Sequence, residues 1–364
     1  MASNYKKLGE FLRLTDERNS DLSITNLQGV SISKQFIPSI ANIIGTDLSS
    51  YKIVRKGQFA YGPVTSRNGD KVSIALLESD DCIISSSYLS FEVVDKTKLD
   101  PEYLMLWFMR PEFDRYARFM SNGSAREIFD WECMCGVELP VPSIEEQRKI
   151  VHDYKVITDR IELLKKINEN LEEQAFINTD LIINKKSEIK KIDELVSIYD
   201  SKRKPLSSEE RAEKSKIYPY YGAASLMDYV DDYIFDGIYG LIGEDGTVIT
   251  DEGFPIMQYV WGKFWVNNHA HIFQGKNDYS TELVYVLLKH TVIKDIVTGA
   301  VQLKINQENL KNLNVEVPCK DLLKELKFAL DKIFKLIRNN TDEINKLIQI
   351  KELLLKNFYG KEVS

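Results

Sequence analysis

The chain has 364 residues, 43% of them hydrophobic, which is enough for the cores of two or three domains. No run approaches the roughly 18 to 20 apolar residues of a membrane span, and the start, MASNYKKLGEFLRL, lacks the apolar centre of a signal peptide, so no membrane association and a cytoplasmic location are expected. A net charge of -7 speaks against a protein that holds nucleic acid by bulk charge alone.

In chain order, the first stretches that signal structure are VSIALL (72–77) and CIISSSYLSFEVV (82–94), whose β-branched and aromatic residues predict strands, with RNGD (67–70) as a turn before them. PEYLMLWFMRPEFDRYARFM (101–120) predicts helix. Next comes VELPVPSIEEQRKIV (137–151), a short strand-like run, a proline pair and then a long charged helix. In that helix Ile150, Tyr154, Ile157, Ile161, Leu164, Asn168, Leu171 and Ala175 recur at alternating spacings of four and three, the signature of helices that pack along a seam. Beyond it, YVWGKFWV (259–266) and AHIFQG (270–275) predict strands, GEDG (243–246) a turn, and STELVYVLLKHTVIKDIV (280–297) a helix.

The chain then repeats itself. VEVPCKDLLKELKFA (315–329) has the form of 137–151, and a shift of 176 residues carries Gly123 onto Gly299, Glu132 onto Glu308 and Met134 onto Leu310. KLGEFLRLTDERNSDLS (7–23) likewise resembles KIDELVSIYDSKRKPLS (191–207). The shifted seam is Leu326, Leu330, Ile333, Ile337, Asn340, Ile344, Leu347 and Lys351, and Asn168 and Asn340 on it would fix register as single polar seam residues do. Four segments follow: a first domain over 1–142, a helix over 143–186, a second domain over 187–318 and a helix over 319–364. Helices of some 40 residues, about 60 Å long, exceed what one globular domain covers, so they are expected to pair with each other. The expected fold is α+β, with two tandem, pseudo-twofold-related globular domains with β-rich cores separated by two long antiparallel coiled-coil helices. Helix two, running back along helix one, would close the chain on its own beginning.

Catalytic constellations are not found. Gly262-Lys263 has neither the upstream glycine nor the following hydroxyl of a phosphate-binding loop, and Gly240, Gly243 and Gly246 follow no strand-to-helix switch and are read as loop turns. Cys82, Cys133, Cys135 and Cys319 are read as reduced thiols, and the C-x-C at 133–135 has no second pair to complete a zinc site. His269 and His271 alternate and would share one strand face, either a metal pair or, preferred, a polar face near a binding surface. Ser85–Ser87 pair with no base in the spacing. No metal, cofactor or enzymatic activity is expected of this chain, which reads as a binder. A non-catalytic protein-protein interaction scaffold is the alternative.

Several of these stretches together resemble the specificity (S, or HsdS) subunit of type I restriction-modification systems over nearly the whole chain. They are GSAREIFDWECMCGVELPVPSIEEQRKIV (123–151), YGPVTSRNGDKVSIA (61–75), SSSYLSFEV (85–93), IYPYYGAASLMDYVDDYIFDGIYGLIGEDG (217–246) and FWVNNHAHIF (264–273). The resemblance implies two target recognition domains, each reading one half of a split double-stranded DNA sequence, with the helices as a ruler. It also implies no catalytic centre on this chain. Two methylation (M) subunits would bring S-adenosylmethionine, and restriction (R) subunits would bring ATP- and Mg-dependent chemistry. A half-site reader needs cations for phosphates and polar side chains for base edges. The candidates are Thr65, Ser66, Arg67, Asn68, Ser124 and Arg126 in the first domain, and Lys202, Arg203, Lys204, Ser225, Gln302 and Lys304 in the second. Both domains are acidic, with 16 Lys+Arg against 19 Asp+Glu over 1–142 and 14 against 20 over 187–318, so affinity is expected to come mainly from the assembled complex.

Overall fold

The strand-like runs that precede the prolines turn back onto the first strands of their own repeats. Residues 138–140 pair antiparallel with residues 5–7, and residues 314–318 pair antiparallel with 187–191. The protein, seen here in a computed structural model, is described over residues 5–39, 45–66, 68–121, 127–299 and 302–357. It forms two compact units: residues up to Glu162 together with those from Asn345 onward, and Leu163–Ile344. The boundary between the units falls within each long helix.

The first unit contains strands Tyr5–Lys7 (β1), Leu12–Thr15 (β2), Gln28–Val30 (β3), Phe36–Pro38 (β4), Lys52–Val54 (β5), Phe59–Tyr61 (β6), Ile74–Leu76 (β7), Cys82–Ile84 (β8), Leu89–Val93 (β9) and Glu138–Pro140 (β10). Its helices are Pro101–Phe108 (α1), Pro111–Met120 (α2), Trp131–Gly136 (α3) and the start of Ile144–Ile183 (α4). The main sheet runs β2-β9-β6-β7, all antiparallel, with β1-β10, β3-β4 and β5-β8 as separate pairs. Phe59 and Phe91 stack at 4.8 Å in its core, and Phe108 and Phe113 lie 4.7 Å apart beside them. The side chains from Tyr103 to Phe108 are all buried, which is the fate of a helix that is apolar on every face.

The second unit contains Ser187–Lys191 (β11), Ile192–Leu195 (α5), Val196–Ile198 (β12), Ser208–Ala212 (α6), Tyr218–Tyr221 (β13), Leu226–Val230 (β14), Phe235–Gly243 (β15), Met257–Val266 (β16), Ala270–Gly275 (β17), Thr281–Lys289 (α7), Val297–Thr298 (β18), Lys304–Ile305 (β19), Gln307–Asn312 (α8), Asn314–Pro318 (β20) and most of Lys320–Asn357 (α9). The sheet order is β12-β17-β15-β16-β13-β14, with β13 and β16 parallel. Two expectations change here. The helix expected over 280–297 stops at Lys289, because the β-branched run Thr291, Val292, Ile293 follows and turns the chain into a short 3-10 segment and β18. Gly240 and Gly243 sit within β15 rather than in a turn, and a Cβ at Gly240 would strike the Phe273 ring at 2.1 Å, so close packing is what requires the glycine. Gly246 alone of the three adopts a left-handed φ, +86°.

The repeat is visible in the caps. Asp130 accepts from Cys133 N at 2.8 Å to start α3, and Asn306, 176 residues on, accepts from Asn309 N at 2.7 Å to start α8. Asp100 and Ser280 cap α1 and α7 in the same way. Met134 and Leu310 are both buried. The glutamate two residues after each of those last two caps reaches a cation on a long helix: Glu102 meets Lys155 of α4 at 2.6 Å, and Glu282 meets Arg338 of α9 at 3.0 Å.

The helices pack antiparallel. In the second unit Asn340 Nδ2 donates to Asn168 Oδ1 at 2.8 Å, and Asn168 Nδ2 donates to Thr341 Oγ1 at 3.2 Å. In the first unit, Leu355 of α9 packs against the core that holds Leu8, Ile150, Val151 and Tyr154. Ile150, Ile161, Leu164, Leu326, Leu330, Ile333, Ile337 and Ile344 are buried, while Ile157, Asn168, Leu171, Asn340 and Leu347 are half-buried. Gln147, in the E-E-Q-R-K-I run, is fully buried and fastens the start of α4. Its side chain donates to Lys98 O and Pro142 O and accepts from Asp100 N, each at 2.9 Å. Among the described residues, no helix is long and apolar enough to cross a membrane.

Candidate nucleic-acid interface

In the first unit the loop after β6 is held against the segment that leads into α3. Thr65 N donates to Glu127 O at 2.9 Å and Phe129 N to Pro63 O at 2.9 Å, with Val64 and Ile128 bridged between them. Thr65 is buried, and its hydroxyl contacts Ser121 Oγ at 3.0 Å and Glu127 O at 3.2 Å, so it fixes the loop instead of facing solvent. Ser66 is exposed. Asn68 is half-buried, with its backbone N–H donating to Thr65 O. Arg67, Ser124 and Arg126 lie outside the described residues, but Ser121 and Glu127, which flank the second group, both hydrogen-bond to Thr65. Arg118 at the end of α2 pairs with Glu127. Asp114 of α2 secures the far side of the same loop by accepting from Val72 N at 3.0 Å, and it also holds the buried Lys34 at 2.6 Å. Burial pushes the Lys34 ammonium down, with Asp114 opposing.

The second unit repeats this frame. Gly246 N donates to Leu303 O at 3.0 Å, Ile305 N donates to Glu244 O at 2.8 Å, and Asp245 is bridged to Lys304. Ile128 and Lys304 are 176 residues apart, so the bridges match: Pro63, Val64 and Thr65 stand where Glu244, Asp245 and Gly246 stand. The sequence alone paired neither loop with the other, because they differ in every side chain and the shift between them is not 176. The quoted turn signals on either side were the available clue.

Around this frame the second-unit candidates fall into two groups. Lys202, Lys204, Ser225, Gln302 and Lys304 are exposed, with Lys202 Nζ 5.0 Å from the Tyr199 ring centre and Lys304 Nζ 3.5 Å from Glu244. Arg203 is instead turned inward, to Glu244 Oε2 at 2.6 Å and to the carbonyls of Ala270 at 2.7 Å and Asn268 at 3.2 Å, which makes it a fastener of the loops rather than a free cation. Ser225 belongs to the turn between β13 and β14, at the sheet edge.

The two histidines do not share a face. His269 is in the turn before β17, exposed, with Nδ1 2.6 Å from Asp245, whereas His271 is 1% exposed and points into the unit. Asp200, Glu244 and His271 bring one ligand-type atom each within 4.8 Å of one another. Arg203 already neutralises Glu244, and Gln307 Nε2 donates to Asp200 Oδ2 at 2.9 Å, so the carboxylates are engaged by the protein itself. Burial would raise the Asp200 carboxyl, yet the His271 hydrogen bond and charge, the Ile272 N–H and Arg203 together hold it below the usual carboxylate value.

The type I restriction modification DNA specificity domain matches residues 32–173 and again 184–351, one match on each copy of the repeat. The chain belongs to that family. A type I restriction enzyme specificity subunit of Haemophilus influenzae is 33% identical over 144 residues, 40% of this chain and 36% of that protein, so this match spans about a third of the relative. The MjaIX specificity subunit of Methanocaldococcus jannaschii is 24% identical over 302 residues, 72% of this chain and 69% of that one. The fold matches the crystal structure of a type I restriction-modification S subunit from M. genitalium with a TM-score of 0.61 at 15% identity, covering 100% of this chain and 98% of the other.

Proposed function

We propose that this specificity subunit reads a split double-stranded DNA target, one half with each unit, and that its two long helices set the spacing and dock two methylation subunits. The observation that carries the reading is the matched loop frame. One backbone arrangement, bridged at Val64–Ile128 and at Asp245–Lys304, carries different residues in the two copies, Pro63, Val64 and Thr65 against Glu244, Asp245 and Gly246, as expected if two different half-sites are read. Exposed Lys202, Lys204, Gln302 and Lys304 surround it in the second unit and Ser66 borders it in the first.

The chain itself supplies recognition and no chemistry. Methyl transfer from S-adenosylmethionine belongs to the methylation subunits, and ATP- and Mg-dependent cleavage to restriction subunits. Acidic side chains accompany several of the second unit's cations: Lys214 meets Asp231 at 2.7 Å and Lys216 meets Asp228 at 2.9 Å. Binding strength therefore comes from the assembled complex, and this subunit sets where it binds.

The test is to co-express the chain with its methylation subunit and map N6-methyladenine across the host genome by single-molecule sequencing. A single split motif methylated once on each strand is expected, and Gln302→Ala with Lys304→Ala should relax one half of it only. A stable complex without new methylation would instead favour a protein-protein scaffold.

A further inference from the structure

The candidate segments of the second unit, 200–204 and 302–305, are far apart in the chain and are bridged by the buried His271 ring, with Glu244 beside it. His271 Nε2 lies 2.8 Å from Ile305 O, and its Nδ1 lies 2.6 Å from Asp200 Oδ2. A carbonyl oxygen only accepts, so Nε2 donates to Ile305 O, and Nδ1 shares a proton with the Asp200 carboxyl. Ile305 directly follows Lys304, and Asp200 begins the turn that carries Lys202. We propose that His271, bonded through both ring nitrogens, is a positioning residue that holds these two segments, and with them the DNA-reading surface of the second unit, in a single arrangement. The proposal rests on the DNA-reading function proposed above.

The surroundings support this role. Asp200 Oδ1 accepts from Ile272 N at 3.0 Å and its Oδ2 from Gln307 Nε2 at 2.9 Å, so the carboxylate cannot swing away from the ring. Glu244 Oε2 stands 3.7 Å from Nδ1 and is itself held by Arg203, while Lys304 reaches Glu244 from the rim at 3.5 Å. Asp200 and Arg203, Glu244, the His271 ring and Lys304, from four separate segments, meet in this cluster. Each gives up part of its bonding if either candidate segment shifts.

Among the described residues of the first unit no histidine stands at the matching place. Strand β2 pairs Leu12 with Val93 and Leu14 with Phe91, as β12 pairs Val196 with Gly275 and Ile198 with Phe273. Two residues further along, the register sets Leu89 where His271 stands. Removing the ring should therefore affect one half of the target and spare the other.

The experiment uses the complex assembled with the methylation subunit and fluorescent duplexes carrying the mapped motif, with either half scrambled. His271→Leu is expected to lower the preference for the intact second half by about tenfold, the scale of one base contact, while the preference for the first half stays unchanged. Full second-half preference in a folded His271→Leu complex would overturn the proposal, and so would equal loss at both halves. Nitrogen-15 NMR of the histidine-labelled wild-type chain, which has four histidines, keeps the test decisive if the variant does not fold: Nε2 of His271 should carry a slowly exchanging proton, as its bond to the Ile305 carbonyl requires, and a bare or freely exchanging Nε2 refutes the proposal. A wild-type complex with no preference for either half would sink the DNA-reading function itself and the proposal with it.

Discussion

Asn340 donates a 2.8 Å hydrogen bond to Asn168 across the helix pair, and Asn168 in turn donates to Thr341, so each amide is answered by a polar group of the other helix. Among leucines and isoleucines this polar layer fits only one alignment of α4 against α9. Asn168→Leu should leave Asn340 without its acceptor and destabilise the chain by about 1–2 kcal/mol, whereas Asn168→Leu with Asn340→Leu should restore that loss. Urea denaturation of the two single variants and the double variant gives the coupling, and additive single effects would show that the amides act independently.

Gln147 is the next test, because one fully buried amide serves three backbone groups at the entry to α4. Gln147→Ala leaves the carbonyls of Lys98 and Pro142 and the N–H of Asp100 unanswered, a cost of about 2–4 kcal/mol. Thermal unfolding of the purified chain would register it, and a melting temperature within one degree of wild type would show that water replaces the amide.

Arg338 joins Glu282 at 3.0 Å and also contacts the Tyr259 hydroxyl, which itself donates to Glu282 at 2.8 Å. Burial pushes the Tyr259 phenol well up, and the neighbouring Glu282 adds to it, so the hydroxyl keeps its proton and remains a donor. Arg338→Met strands a buried carboxylate and should cost about 3–5 kcal/mol, much of it regained by adding Glu282→Gln. Equilibrium denaturation of the single and double variants checks this, and a double variant no more stable than Arg338→Met would mean that packing of the arginine stem dominates.

Asp200 gives a pH dependence. Its folded carboxyl lies below the unfolded value of about 3.9, so over that interval the unfolded chain binds more protons and stability rises with pH. The contribution is complete above the unfolded value and disappears as pH falls through the folded one. The stability gap between wild type and Asp200→Asn should therefore be widest near neutrality and narrow below about pH 4. A gap that stays constant down to pH 3 would place the effect in hydrogen bonding alone.

What the sequence showed and what it hid follow from the range of the interactions. The repeat, the two helices and the strand-proline entries are periodic or local, so spacing alone places Ile150 to Leu164 and Leu326 to Ile344 on a packing seam. The pattern over 280–297 predicts a longer helix than forms, because Val292 and Ile293 continue an apolar run that the backbone does not follow. Thr65 and Arg203 looked like surface contacts, yet their partners Glu127 and Ala270 lie 62 and 67 residues away. The same holds for His271, whose two partners come from residues 71 behind it and 34 ahead. No local pattern announces such meetings.

The asparagine pair also bears on how the chain arose. The shift of 176 that relates the two copies carries Asn168 onto Ile344 and Leu164 onto Asn340. A chain made of two identical halves would thus set asparagine against leucine at both layers, or, with asparagine at both positions, have two polar layers instead of one. Neither is what stands here, where one layer is amide and Leu164 and Ile344 are buried hydrocarbon. The symmetry of the newly doubled gene has therefore been broken since the duplication at the seam itself, and its halves are no longer exchangeable parts.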